Sequence, residues 1–91
     1  MASLKGKRRR KIKEPTDSMR KYYGNQFVRN QSKWMRRSKL EPSHLGISFS
    51  FENETAIIVG SMDTEEVLVH FTESNEYIVI HIDDVTRAIL E

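Results

Sequence analysis

Residues Lys39-Leu40-Glu41-Pro42 divide this chain of 91 residues into two halves of opposite charge. Residues 1–40 hold fourteen Lys or Arg and two acids, a net charge of +12. Residues 41–91 hold one Arg and eleven acids, a net charge of −10. The hydrophobic pattern changes at the same place, from helical spacing before it to strand-like alternation after it. The sequence therefore predicts an α+β fold in which a basic N-terminal arm is joined to a small acidic β domain.

The composition limits the classes of protein that fit. The sequence has no Cys, so neither a disulfide nor a thiolate metal site can form. No apolar run approaches the roughly 20 residues that span a bilayer, and the basic N-terminus lacks the apolar core of a secretory signal. We therefore expect an intracellular protein with no membrane partner, in the cytoplasm or nucleoid, or in the nucleus if the source is eukaryotic.

Residues 1–15 are predicted to be a disordered basic tail. Like charges at this density repel each other and keep a chain extended. Each Lys or Arg that meets a phosphate releases counterions, so the tail is expected to bind nucleic acid without reading its sequence. A solubilising tail without a partner is the alternative, and a nuclear-import signal also fits a eukaryotic source. The cations of the tail are Lys5, Lys7, Arg8, Arg9, Arg10, Lys11 and Lys13.

Residues 16–40 are predicted to be a basic amphipathic helical segment. Pro15 followed by Thr16, Asp17 and Ser18 is typical of a helix start. Gly24-Asn25 interrupts the pattern, so one helix and two helices (about 17–23 and 26–38) both remain open. We assign the cations of this segment, with those of the tail, to a nucleic-acid interface. They are Arg20, Lys21, Arg29, Lys33, Arg36, Arg37 and Lys39.

The aromatic residues of this segment have two readings. Tyr22, Tyr23 and Trp34 could stack on unpaired bases, which would favour RNA or single strands. Alternatively, Met19, Tyr23, Phe27 and Trp34 form an apolar stripe that packs on the sheet. We favour packing for Phe27 and Trp34, because a β domain of about fifty residues needs a cover. The sequence does not separate DNA from RNA.

Residues 41–91 are predicted to form the acidic β domain with a C-terminal helix. After a hinge at residues 40–46, alternating apolar residues indicate four strands, at residues 47–51, 56–60, 66–71 and 77–82. Short strands with closely spaced turns are typical of an antiparallel meander or small barrel. Asp83-Asp84 then indicates the start of a short closing helix whose apolar face is Val85, Ala88, Ile89 and Leu90.

The last two strands also predict a register. A two-residue loop at Ser74-Asn75 would pair Phe71 with Ile78, Val69 with Ile80 and Val67 with Ile82. The opposite face is then too apolar for an ordinary solvated surface, so either the N-terminal helix or a partner should cover it. This possible partner-contact face consists of Leu68, His70, Tyr77, Val79 and His81.

On this register, His70 and His81 would be diagonal neighbours on that face. Two histidines alone do not complete a zinc site, so we expect neither a metal nor a cofactor. A pH-sensitive contact is the alternative role for the pair.

Three short motifs of the β domain resemble a small module of bacterial and phage proteins. They are Leu45-Gly46-x-x-Phe49, Ile58-Val59-Gly60 and Val85-x-x-Ala88-Ile89-Leu90. The resemblance spans residues 45–90 and implies an SH3-like barrel. Its motif residues are packing residues, so it implies no active site. The acidic charge departs from that of a nucleic-acid-binding barrel, and we assign no binding to its surface.

These patterns favour a non-enzymatic nucleic-acid-binding protein whose basic arm holds phosphates while the β domain provides stability and a protein contact. The alternative is an adaptor or inhibitor, possibly phage-encoded, whose acidic β domain docks on a basic protein such as a nucleic-acid enzyme. Self-association, with the arm of one copy on the acidic face of another, is a third hypothesis. An enzyme is not expected, because the sequence has no Gly-rich phosphate loop and no readable nucleophile–base pairing.

Overall fold

The computed structural model describes residues 9–30 and 40–90. Within these ranges the chain forms two α-helices and one open, five-stranded antiparallel sheet, so the α+β class is confirmed. The elements follow in the order β1 (Arg10–Ile12), α1 (Asp17–Arg29), β2 (Ser48–Phe51), β3 (Glu54–Ser61), β4 (Glu66–Phe71), β5 (Glu76–His81) and α2 (Ile82–Leu90). Neither described helix combines the length and apolarity that crossing a membrane takes.

The sheet has one strand more than the four predicted. Its order is β1-β5-β4-β3-β2, so the predicted meander of β2 to β5 is extended by β1 at the edge. Arg10 pairs with Val79 and Ile12 with Tyr77. These three residues of β1 lie in the predicted disordered tail, and they are ordered because the edge of β5 offers free backbone donors and acceptors. The sheet does not close, so an SH3-like barrel is not confirmed.

Helix α1 runs through Gly24 and Asn25 without a break. Thr16 caps its start, where its Oγ1 accepts a hydrogen bond of 3.2 Å from the backbone N–H of Met19. The helix ends at Arg29, followed by Asn30. The second predicted helical piece, including Trp34, lies largely in residues 31–39 and outside the described residues.

Helix α1 packs across β3 at a point where both elements have a glycine. A Cβ on Gly60 would lie only 2.6 Å from the Cβ of Tyr23, and a Cβ on Gly24 would lie 3.5 Å from Leu45. The ladder between β3 and β4 is irregular between Ile58 and Gly60, as expected of a bulge beside a close backbone approach. Gly24 is therefore a packing residue within α1, and the break at Gly24-Asn25 that the sequence left open as one of two alternatives is not found.

The buried residues form two clusters. The larger one contains Phe27 of α1, Leu40, Val85 of α2 and the inward-facing side chains of β2 to β5. The smaller one lies between α1 and the sheet and consists of Tyr23, Leu68, Tyr77 and Val79, with Ile12 and Met62 packed against it. Burial of Phe27 and of Val85 confirms that both helices cover the sheet.

The register of the last hairpin differs from the prediction by two residues. Val69 pairs with Ile78 and Phe71 with Glu76, because the loop has four residues, 72–75, instead of two. Asn75 takes a left-handed conformation with φ of 57° and ends this loop. A shift of two keeps every side chain on its face, so the predicted apolar face survives although its pairs were wrong.

Candidate nucleic-acid interface

Half of the fourteen cations predicted to bind nucleic acid fall in the described residues. Lys5, Lys7, Arg8, Lys33, Arg36, Arg37 and Lys39 lie outside them. The structure describes Arg9, Arg10, Lys11, Lys13, Arg20, Lys21 and Arg29. It divides these seven into cations that are paired with acids of the same chain and cations that are not.

The cations of the β1 region are paired with the acidic domain. The side chain of Lys11 donates a hydrogen bond of 2.9 Å to Glu76, and Arg10 lies 3.6 Å from Glu66. Both acids belong to the β4–β5 hairpin, and β1 pairs with the β5 strand of that hairpin. The hydrogen bond from Lys11 holds the pKa of Glu76 below its ordinary value. The acids therefore occupy two cations that were predicted to be free for phosphate.

Arg9 joins the two edges of the open sheet. It precedes β1 at one edge, yet its guanidinium forms an ion pair with Glu52, in the turn after β2 at the other edge. The same guanidinium lies 4.9 Å from the centre of the Phe51 ring, within the range of a cation–π contact. Its hydrogen bond lowers the pKa of the Glu52 carboxyl and raises the pKa of Arg9 itself.

An open groove of about 320 Å³ lies beside Arg9 and also contains Arg87. Two guanidiniums in one groove suggest an anion site, but each has an acid next to it. Arg9 pairs with Glu52, and Arg87 lies 3.4 Å from Asp84, both in the same groove. The groove therefore carries no excess of positive charge, and we do not include it in the interface.

Arg20 is also committed within the fold. It donates hydrogen bonds to Asp17 at 2.9 Å, to Glu14 at 3.0 Å and to the hydroxyl of Tyr77 at 3.1 Å. The bond to Tyr77 ties α1 to β5, and with the nearby carboxylates it raises the pKa of Arg20. Arg20 therefore helps to hold α1 against β5 and is not part of an exposed cationic surface.

The remaining cations of α1 are exposed. Lys21 and Arg29 have no ion pair within the described parts of the chain, and they share the solvent side of α1 with Tyr22 and Asn25. We call these four residues the outer face of α1. Lys13, between β1 and α1, is a further exposed cation. The outer face combines positive charge, an aromatic ring and an amide, groups that bind phosphates and bases.

The structure shows that Tyr22 and Tyr23, both considered as stacking residues from the sequence, differ in exposure. Tyr22 is 57% exposed, whereas Tyr23 is 8% exposed and packs with Leu68 and Val79. Asn25 was not predicted to be functional, because it was considered only as a possible interruption of the helix. A helical wheel would have shown the signal: Tyr22, Asn25 and Arg29 lie on the side opposite Tyr23 and Phe27.

The possible partner-contact face is covered by the chain itself. Leu68, Tyr77 and Val79 are buried in a cluster with Tyr23 of α1. Of the two covers predicted, the helix is therefore the one that is found. His70 stacks on Tyr77 with ring centres 4.3 Å apart and shares a hydrogen bond of 2.9 Å with Asn75. The three buried residues are therefore not available to a partner in this fold.

The two histidines of that face are not neighbours. His70 pairs with Tyr77 and His81 with Glu66, at opposite ends of the hairpin and about 13 Å apart along the strand. The predicted diagonal contact was wrong because it depended on the incorrect register. His81 accepts a hydrogen bond of 3.1 Å from the backbone N–H of Asp83, at the start of α2. Within the described ranges, no group of three potential metal ligands comes together.

Comparison with known proteins gives no family for this chain. No family model, no curated protein and no solved structure matches it. The outer face of α1 and the opposite charges of the two halves are therefore the features of this chain that bear on its function.

Proposed function

We propose that this protein is a non-enzymatic nucleic-acid-binding protein that holds phosphates through the cations of its N-terminal half. The observation that supports the proposal most directly is the outer face of α1. Lys21 and Arg29 project there into solvent, away from the acidic sheet, with Asn25 between them in sequence. Lys and Arg bind phosphate oxygens regardless of base sequence, so the binding is electrostatic and weakens with salt.

The acidic domain has a second role in this proposal. Its acids hold Arg10 and Lys11 on the sheet through Glu66 and Glu76. These pairs lie at the surface, where water and salt weaken the attraction between opposite charges. A polyanion can therefore compete with these acids for Arg10 and Lys11. The more easily the two ion pairs break, the more these cations contribute to binding.

The alternative, an adaptor whose acidic surface docks on a basic protein, is supported by two exposed acids. Glu54 and Glu73 are exposed and have no ion pair among the described residues. They lie at the same end of the sheet, where Thr72 N–H donates to the carbonyl of Thr55 over 3.1 Å. Two acids make a small field, so we rank this function second.

The proposal includes an intracellular location, in the cytoplasm or nucleoid or in a eukaryotic nucleus, where nucleic acid is found. It assigns no cofactor and no reaction. The resemblance of residues 45–90 to small SH3-like modules remains a prediction about the β domain and adds no residue to the interface.

The test compares two substitutions that change the charge equally. Arg29→Gln removes a cation from the outer face of α1, and Arg87→Gln removes one from α2. Binding of duplex DNA, single-stranded DNA and RNA is measured at low and moderate salt. We expect Arg29→Gln to weaken binding and to reduce the salt slope by about one, as loss of one phosphate contact does. Arg87→Gln should leave the slope unchanged.

The absence of binding to all three ligands at low salt would contradict the proposed function and would turn attention to a basic protein partner. Equal effects of the two substitutions would show that only net charge matters and that α1 is not the interface. A truncation before Thr16 is a poorer test, because it would also remove β1 from the sheet.

A further inference from the structure

We propose that Tyr22 is a stacking platform for an unpaired base, so that the ligand of the outer face of α1 is single-stranded nucleic acid. This inference rests on the proposed function and narrows its substrate class. Tyr22 is the only aromatic side chain of the described residues that is exposed.

The other described aromatic rings are used by the fold. Tyr23 is buried between α1 and the sheet, and Phe27 is completely buried in the larger cluster. Tyr77 is stacked on His70 and is approached by the guanidinium of Arg20 at 5.8 Å. Among the described rings, Tyr22 contacts only that of Tyr23, with ring centres 5.7 Å apart and planes at 64°. An edge-to-face contact covers at most one face of Tyr22, so the other face is open to a base.

The contact with Tyr23 also positions Tyr22. Tyr23 lies where α1 crosses Gly60 of β3, and a Cβ on Gly60 would overlap the backbone of Tyr23. The backbone of α1 is therefore held in place next to Tyr22, so the helix does not have to become ordered when a base stacks on the ring. Exposed aromatic rings are the groups on which proteins that bind single strands stack bases of any sequence.

The surrounding charges fit a nucleic-acid strand that runs along the helix. Lys21 is adjacent to Tyr22, and Arg29 lies seven positions further on, which places it about 10 Å along the same side of α1. Asn25 lies between them and carries both a hydrogen-bond donor and an acceptor for a base edge. A base on Tyr22 would therefore have its flanking phosphates within the reach of the two cations.

The geometry favours an unpaired strand over a duplex. In a duplex both faces of a base are covered by its neighbours in the stack, and only base edges are exposed in the grooves. A ring on a helix surface can reach a base face there only after the stack is opened, which is unfavourable. An unpaired base offers its face without this cost.

The experiment uses the full chain and three substitutions. Tyr22→Leu removes the ring and keeps a good helix former, Tyr22→Phe keeps the ring, and Val28→Ala changes another exposed apolar residue of α1. The probes are single-stranded DNA, RNA of the same sequence and the corresponding duplex DNA, and circular dichroism verifies folding.

We expect Tyr22→Leu to weaken binding of single strands about tenfold or more, the effect of losing one stacked base, and to leave duplex binding almost unchanged. Tyr22→Phe and Val28→Ala should retain the affinity of the parent. The relative loss for RNA and DNA identifies which of the two strands is the better ligand.

Equal weakening of single-strand and duplex binding by Tyr22→Leu, or no weakening, would overturn the inference. In either case the proposed function would stand if the effect of Arg29→Gln on the salt slope is still observed. No binding to any probe would overturn both, so the two failures are distinguishable.

Discussion

Gly60 determines how closely α1 approaches the sheet. The space that a side chain would need is filled by the backbone and Cβ of Tyr23, which cannot move without shifting the helix. Gly24, on the helix side of the same crossing, has more room, because the nearest atom to a Cβ there would be Leu45 Cδ2 at 3.5 Å. The two glycines of this contact therefore differ in what they tolerate.

Gly60→Ala should destabilise the fold by about 2 kcal/mol or more, because the added methyl overlaps backbone atoms of α1. Gly24→Ala is the matched control and should stabilise by about 0.5–1 kcal/mol, since Ala is the better helix former and its methyl makes an ordinary contact. Urea unfolding midpoints measure both. Similar small effects at the two positions would show that α1 does not pack tightly at Gly60.

At the scale of residues, sequence patterns predicted burial better than exposure. The burial of Phe27 followed from helical periodicity and from the need to cover a small sheet. The role of Gly60 could not be read in this way, since a glycine at a strand end has many explanations and only the crossing of α1 selects one. The difference between Tyr22 and Tyr23 depended on which side of α1 meets the sheet.

At the scale of elements, β1 is the strand that sequence patterns did not predict. Arg10-Lys11-Ile12 has one apolar residue and no alternation, so nothing in its own sequence indicates a strand. Its strand conformation comes from tertiary context: the backbone of β5 pairs with it, and Glu66 and Glu76 neutralise its cations. Context of this kind routinely overrides local preference in strands.

If the acids that pair with Arg10 and Lys11 compete with nucleic acid for these cations, removing the acids should strengthen binding. We expect Glu66→Gln with Glu76→Gln to raise the affinity about three- to tenfold, because Arg10 and Lys11 are released for phosphates. The matched control is Glu54→Gln with Glu73→Gln, which changes the net charge equally at acids without partners among the described residues. Titration with single-stranded DNA at fixed salt measures the difference. The same gain in both variants would rule out specific competition.

The β4–β5 hairpin shows how far element prediction can reach. The alternation of apolar residues identified the strands and the apolar face, because successive side chains of a strand point to opposite faces whatever the pairing. The exact pairs depend on the length of the loop, and nothing in residues 72–75 distinguishes a four-residue from a two-residue connection before Asn75 is seen at φ of 57°. The proposed pairing of the two histidines failed with the register.

At the scale of the whole molecule, the opposite charges of the two halves are folded against each other. Arg9, Arg10 and Lys11 from the basic half lie on Glu52, Glu66 and Glu76 of the acidic half. The opposite charges of the two halves follow from counting residues in the sequence. The contact between the halves could not be predicted, because residues 39–42 indicate only where one half ends and the other begins. Three cations that the sequence assigned to a nucleic-acid partner therefore form ion pairs within the fold.

This arrangement predicts a dependence of stability on pH. Hydrogen bonds from Arg9 and Lys11 lower the pKa of Glu52 and Glu76 below the ordinary 4.5. A lowered pKa in the folded state contributes stability that is present above 4.5 and is lost as the pH falls through the folded-state pKa. The urea midpoint should therefore fall on acidification, and less steeply in a variant with Glu52→Gln and Glu76→Gln.

The variant with Glu54→Gln and Glu73→Gln is again the control, with the same number of carboxyl groups removed. It should follow the acid dependence of the parent more closely than the first variant does. If the two variants lose stability in parallel as the pH falls, the ion pairs of Arg9 and Lys11 are not the cause of the pH dependence.

The pairing of β1 with β5 also bears on proteolysis. Trypsin cleaves after Lys and Arg and needs its substrate extended and unpaired, whereas Arg10 and Lys11 are held in a ladder with Val79 and Ile78. Cleavage there must pass through molecules in which the strand has left the sheet. A cut after Lys11 would detach every cation that precedes Ile12 from the folded domain. The pairing of β1 with β5 therefore protects the chain from trypsin at Arg10 and Lys11 and keeps the cations before Ile12 covalently attached to the folded domain.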